Sequence, residues 1–263
     1  MEILVCVKCV PETAEHQIEV NRDGSDIERD DLVYSVNEWD NYAVEEAIQI
    51  VERIGGSVTV VSVGDEAAEE VIRTAMAMGA DNGILIADTA FEGSDGKGIA
   101  FILKAVIEKG NYDLILTGAQ ADDGAGQVGG MLAAMLDVPY ASVVNSIEVL
   151  TDAQLKIGRE IEGGNQEMNE IAFPCVLSIQ TGINEPRYVA ISRILKVASA
   201  EIPVWGVNEL GLDPVNVALS DPRLKRVGYF IPQLADSAEI LKGSNEEIAE
   251  RLIDLLKIKG GIK

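Results

Sequence analysis

The sequence predicts an α/β protein: a mostly parallel open sheet with helices on both faces, antiparallel additions after residue 140 and an extended C-terminal arm. Three observations lead there. Short apolar runs rich in Val and Ile alternate with stretches whose apolar residues recur at helical spacing. After Pro139 that alternation gives way to short runs joined by turns. Beyond Ile202, prolines and glycines become frequent and regular alternation fades.

Residues 3–7 form a short apolar run, read as a buried strand. The charged stretch 14–36 contains Asn21-Arg-Asp-Gly-Ser25 and reads as a hairpin or ordered loop. Ala43, Ala47, Ile50, Val51 and Ile54 recur at helical spacing, which places the first helix over 42–54. A β-branched strand follows over 57–63, then a helix over 66–78 that Gly79 stops. Strands over 83–87 and 112–117 alternate with helices over 97–109 and 124–136. Three short strands are expected over 141–144, 146–150 and 155–162, and a buried one over 175–179. The last element is an amphipathic helix over 245–258. Residues 1–200 are thus expected to form the main α/β domain, with 201–263 as an extension lying on a partner.

At 263 residues and 47% hydrophobic content the chain can bury a sizeable core. Aromatics reach only 5%, so that core must be aliphatic. Against 44 acidic residues stand 21 basic ones, a net charge of −23, and such a field repels nucleic-acid backbones and anionic membranes. The three cysteines, Cys6, Cys9 and Cys175, lie in or beside apolar strands and read as buried thiols of a reducing compartment. With His16 as the single histidine, a metal site has few ligands to draw on, and none is expected. No leader and no apolar run of about 20 residues is evident, so the expectation is a cytoplasmic protein, or a matrix one after loss of a presequence.

In an open parallel sheet, ligands bind beyond the carboxyl ends of the strands. Three loops fall there: 7–10, 63–65 and the small-residue stretch 118–130, which leads into a helix. Small residues let the backbone approach a ligand, and amides at a helix start favour phosphate. Gly124-Ala-Gly126-Gln-Val-Gly129 matches the G-x-G-x-x-G pattern, but Gln120-Ala-Asp-Asp123 intervenes after the strand, so a nicotinamide dehydrogenase is only the weaker alternative. No His-based triad is possible around His16, and Asp122 and Asp123 suit helix capping or ribose binding better than acid–base work. No catalytic residue is assigned, and the chain is not expected to be an enzyme by itself.

Residues 181–198 stand apart. Pro186 stiffens an extended loop that offers Arg187, Tyr188, Ile191, Arg193 and Lys196 with no core pattern, the composition of a contact surface.

Several motifs, in order over about residues 2–200, resemble the electron transfer flavoprotein beta-subunit family. They are Val5-Cys-Val-Lys8, Asn37-Glu-Trp-Asp40 followed by Tyr42-Ala-Val-Glu-Glu-Ala47, and Ile72-Arg-Thr-Ala-Met-Ala-Met-Gly-Ala-Asp81. Further along are Gly118-x-Gln-Ala-x-Asp123, Gly126-Gln127, Arg159-Glu-Ile-Glu-Gly-Gly164 and Asn184-Glu-Pro-Arg-Tyr188. The resemblance implies an adenine-nucleotide-hydrolase-like fold and one half of an αβ heterodimer whose alpha subunit carries the redox FAD. It implies a structural AMP in this chain, held by Cys6, Asn37, Glu38, Trp39, Asp40, Val63, Gly118, Ala119, Gln120, Asp123, Gly124, Ala125, Gly126, Gln127 and Val128. It implies docking of acyl-CoA dehydrogenase-type flavoenzymes through Asn184, Glu185, Pro186, Arg187, Tyr188, Ile191 and Lys196, with Ile191 as the apolar anchor. Arg159 and Glu160 would lie on a hairpin reaching toward the alpha subunit's flavin. Two departures stand out: Glu38 replaces the family's proline, and Val197-Ala-Ser-Ala-Glu-Ile202 replaces its basic run. Some members of the family hold a second FAD in place of AMP and bifurcate electrons. An ATP-binding stress-protein-like module would share the sheet but has no use for the 181–198 loop.

Overall fold

The computed structural model describes residues 1–13, 18–29, 32–213, 224, 226–232, 238 and 240–262. His16 lies outside them. The chain divides into two compact units, one of residues 1–18 and 28–227, the other of 19–27 and 228–263.

The first unit opens with β1 (Glu2–Cys6), of which Ile3, Leu4 and Val5 have no exposure at all. Next, β2 (Cys9–Pro11) pairs antiparallel with β3 (Tyr34–Val36), which ties down both ends of the charged stretch between them. The helix α1 (Glu38–Ile54) buries Ala43, Val44, Ala47, Ile48 and Ile50; of the foretold face, Val51 is only half-buried and Ile54 is exposed at the helix end. It ends at Gly55, whose φ of 83° is left-handed. β4 (Ser57–Val63) leads to α2 (Glu66–Met78), capped by the Asp65 side chain on the Ala67 amide. β5 (Asn82–Ile86), α3 (Gly96–Ile107), β6 (Leu114–Gly118) and α4 (Val128–Leu136) continue the alternation.

Beyond Pro139 the expected pair of short strands is one continuous strand, β7 (Tyr140–Thr151). Val143 takes a φ of 57°, and the pairing register shifts in this region and again near the strand's end. Those irregularities break the two-residue period and make one strand look like two in the sequence. β8 (Gln154–Ile161) and β9 (Asn165–Ala172) complete an antiparallel meander. β9 goes unannounced because all its residues but Ile171 are exposed. β10 (Cys175–Ile179) is wholly buried, as its apolar run requires. The segment after it holds a short helix, α5 (Ile191–Val197), where only an extended loop is expected. Its residues bury no side chain, so the core leaves no period in the sequence. Past residue 200 the chain still adds to the sheet through β11 (Val204–Trp205), followed by α6 (Val207–Leu210).

The nine-stranded sheet runs β11-β5-β4-β1-β6-β10-β7-β8-β9, parallel from β11 through β7. Alternate residues of the central strands point to opposite faces. Ile3, Val5, Leu114 and Leu116 pack with α1 residues in one cluster, while Leu4, Cys6, Ile115 and Val176 pack with α3 and α4 residues in the other.

In the second unit, Val20 bridges Ile27 and the Tyr229 amide donates to the Gly24 carbonyl. Its helix α7 (Asn245–Ile258) begins with a Ser244–Glu247 capping box and exposes Leu252, Ile253, Leu256 and Ile258. Among the described residues, no helix is long and apolar enough to cross a membrane.

Candidate functional site

From β1 the sheet grows outward through β4 and β5. The chain then crosses back to place β6 on the other side of β1. The switch point therefore lies between the carboxyl ends of β1 and β6, where open α/β sheets form their crevice.

The start of α1 is stitched into that crevice. The Asn37 amide donates to the Lys8 carbonyl at 2.9 Å, and its side-chain Nδ2 donates to the Gln120 carbonyl at 2.9 Å. Asp40, 5% exposed, accepts from two strands' ends at once: the Lys8 amide on Oδ2 and the Gly118 amide on Oδ1, each at 2.8 Å. Glycine is required at 118, since a Cβ there would lie 2.4 Å from Asp40 Oδ1 and 2.7 Å from Trp39 Cβ. Burial pushes the Asp40 carboxyl up to about 7, against the backbone amides and Asn37, which favour the ionised form. The Lys8 ammonium pairs with Asp123 across the mouth of the crevice, and Arg226 lies 3.9 Å from the same carboxylate. Asn37 Oδ1 is buried without a hydrogen-bond partner among the described residues.

The loop from β6 to α4 forms the opposite wall. The Ala119 amide donates to the Ile179 carbonyl, and Gly126 adopts a φ of 63° where an added Cβ would fall 2.8 Å from the Ala119 carbonyl oxygen. The Gln127 side chain caps no amide of α4. A Cβ on Gly129 would fall 2.3 Å from Ser178 Oγ, so α4 starts hard against β6 and β10. A helix start of this kind carries partial positive charge toward the crevice loop.

The expected cofactor residues Asn37, Trp39, Asp40, Gly118, Ala119, Gln120 and Asp123 converge here, with 124–128 completing the loop. Glu38 is exposed at the helix start. Val63 ends β4, the strand beside β1. Cys6 sits in the core on the α3–α4 side, and burial, then Asp40, pushes its thiol far above the ordinary range. Burial likewise raises Cys9 to about 11 and Cys175 to about 12. These are inert thiols, and the described residues hold no cluster of His, Cys, Asp and Glu able to bind a metal.

A second constellation lies along α1. Asn184 Nδ2 donates to the Tyr42 carbonyl at 3.1 Å and to Glu46 Oε2 at 3.0 Å. Arg187 grips Glu45 through Nε and Nη2 at 2.9 and 3.1 Å, and Glu52 through Nη1 and Nη2 at 2.7 and 3.1 Å. Its hydrogen bonds to the Glu52 and Glu45 carboxylates raise the Arg187 guanidinium further still. Burial works to raise Glu45, but the Arg187 and Gln49 hydrogen bonds outweigh it and hold the carboxyl below its usual value. Asn184 and Arg187 thus face α1, and Pro186 is half-buried. Glu185, Tyr188, Ile191 and Lys196 face outward, Tyr188 at 88% exposure and Ile191 at 69%.

Sequence reasoning missed Glu45, Glu46 and Glu52 as the seat of this loop, and Ile194 and Leu195 as part of its exposed apolar face. A run of acids on an otherwise core-facing helix was the available signal. Arg159 lies near the turn of the β8–β9 hairpin, donating to Ser142 Oγ at 3.2 Å and pairing with Glu167, with Glu160 exposed beside it.

An open α/β sheet with a crevice at its switch point and a rigidly seated apolar loop defines the class. The electron transfer flavoprotein domain model matches residues 26–210. The chain is 36% identical to the electron transfer flavoprotein subunit beta of Methylophilus methylotrophus, over 97% of this chain and 98% of the relative. It is 35% identical to the Bacillus subtilis subunit beta, over 88% and 89%. With the caffeyl-CoA reductase-Etf complex subunit CarD of Acetobacterium woodii it shares 34% identity over 98% and 99%. The chain belongs to the electron transfer flavoprotein beta-subunit family, whose role is in electron transfer.

Proposed function

We propose that this chain is the beta half of an αβ electron carrier. In this reading it holds AMP structurally in the switch-point crevice, while an alpha subunit carries the working FAD. The observation that carries the AMP reading is the crevice itself. The buried side-chain oxygen of Asn37, Oδ1, without a partner among the described residues, stands beside a glycine-rich loop that leads into a helix start with no side-chain cap. Those features fit an adenine nucleotide: edge acceptors for the base, and backbone amides for phosphate. Asn37, Trp39 and Asp40 would hold it from one side and residues 118–128 from the other. AMP supplies no redox chemistry, so the chain's own part is to bind, orient and close the crevice.

The outward loop at 185–196 is read as the docking surface for flavin dehydrogenases of the acyl-CoA dehydrogenase type. Exposed Tyr188, Ile191 and Leu195 offer the aromatic and aliphatic anchors that such interfaces bury. Catalysis is not assigned to this chain. The cytoplasm is the proposed location.

The test is to co-express the chain with its alpha-type subunit, denature the purified complex and quantify released nucleotides. One FAD and one AMP per heterodimer supports the reading. Two FAD and no AMP would assign a second flavin to this crevice and make the complex a bifurcating one. No complex and no flavin would overturn it.

A further inference from the structure

The crevice and the outward loop share one helix. Trp39, in the first turn of α1, donates from Nε1 to Gln180 Oε1 at 3.3 Å, and Gln180 is the residue where β10 gives way to the loop. Further along α1, Tyr42 and Glu46 hold Asn184, and Glu45 and Glu52 hold Arg187. Between 180 and 190 the loop has no helix or strand of its own. Its continuation is pinned elsewhere: Arg193 Nη1 donates to the Met78 carbonyl, and Arg73 Nη1 to the Val197 and Ala200 carbonyls.

We propose that α1 is a rigid relay by which a nucleotide in the crevice fixes the loop that presents Tyr188 and Ile191, so that occupancy strengthens docking without any contact to the partner. The inference rests on the nucleotide and docking readings above. Seventeen residues make α1 about 25 Å long. Its core face is Ala43, Val44, Ala47, Ile48 and Ile50, none above 2% exposure, and close packing makes such a helix move as a body. A ligand held against Asn37, Trp39 and Asp40 therefore restrains the far turns too.

The seat is also conditional. Glu45 and Glu46 are adjacent buried carboxylates, 3% and 5% exposed. Burial raises the Glu46 carboxyl, and the charge of Glu45 adds to that. Arg187 and Asn184 compensate them only while the loop is in place. Withdrawal of the loop would strip Glu45 of its Arg187 cation and Glu46 of its Asn184 donor, leaving only Gln49 and Arg53 of α1 beside them, so helix position and loop position depend on each other. By linkage, docking must tighten nucleotide binding by the factor that nucleotide tightens docking.

The experiment follows backbone amide exchange in the complex of this chain with its alpha subunit, stripped of nucleotide and then refilled with AMP. AMP binding is measured separately by calorimetry. The expected result is exchange over 180–190 slowed about fivefold or more by AMP, with no matching change over 96–107. Glu45→Gln should bind AMP yet lose that protection; if it fails to fold, Gln180→Met removes the acceptor for Trp39 and serves the same purpose. AMP binding with unchanged exchange over 180–190 would overturn the relay and leave the crevice reading standing. Absence of AMP binding would overturn the crevice reading and the relay with it.

Discussion

Arg187 meets Glu45 fork to fork, with Nε on one carboxylate oxygen and Nη2 on the other, while its own backbone amide also donates to Glu45 at 3.1 Å. Two residues separated by 142 positions in the chain are thereby locked in a single planar arrangement. Arg187 is thus a positioning residue for the loop.

Arg187→Ala should destabilise the protein by about 3 kcal/mol, because it leaves Glu45 buried without its cation. Urea unfolding measures this. Arg187→Ala combined with Glu45→Met should recover much of the loss, since no uncompensated charge remains. A single variant as stable as the parent would show that the pair does no structural work.

Tyr188→Ala and Ile191→Ala should behave oppositely. Both side chains are exposed, so stability should change by no more than about 0.5 kcal/mol. Reduction by a partner dehydrogenase should slow about tenfold or more if they are buried anchors. Stopped-flow reduction of the complex reads this directly, and unchanged rates would remove Ile191 as the anchor.

Asp40 gives a pH signature. Its folded value of about 7 stands above the unfolded value, so its contribution to stability is fully present below about 4. That contribution falls as pH rises toward 7 and is constant above it. The difference in unfolding free energy between parent and Asp40→Asn should therefore slope against the parent from pH 4 to 7 and then level. At any pH above 7, Asn can accept only one of the Lys8 and Gly118 amides on its oxygen and should cost about 1–3 kcal/mol for the other. A pH-independent difference would place the titration elsewhere.

Gly118→Ala should lower stability by about 1–3 kcal/mol through overpacking against Asp40 and Trp39, and should reduce retained AMP. Gly130→Ala is the control. Its Cβ would meet only Tyr140 ring atoms at 3.5 Å or more, within α4, so it should be neutral or stabilising by about 0.5–1 kcal/mol. Thermal unfolding and nucleotide release on denaturation check both.

The parallel strands were legible because strands covered on both faces are nearly continuous apolar runs, as in β1, β4 and β10. The helix α7, whose start coincides with the Ser244–Glu247 capping box, was legible from its amphipathic spacing. β9 and α5 were not, since neither presents a buried stripe that a period could report. At the site, the small residues of 118–129 pointed locally to a ligand loop, whereas Asp40 entered only through the family resemblance. The seat formed by Glu45 and Glu46 was not legible. Their partners Asn184 and Arg187 come from a loop more than 130 residues away, and a local pattern reads them as ordinary helix-surface charges.

The outward face of α5 has a colloidal consequence. Tyr188 just before it, and Ile191 and Leu195 on it, are uncovered at 88%, 69% and 69% exposure. Copies of the chain could bury these groups on one another. The net charge of −23 opposes such encounters by mutual repulsion at neutral pH. Near the isoelectric point of about 4.3 that repulsion disappears. This exposed apolar patch then becomes the nucleus of precipitation.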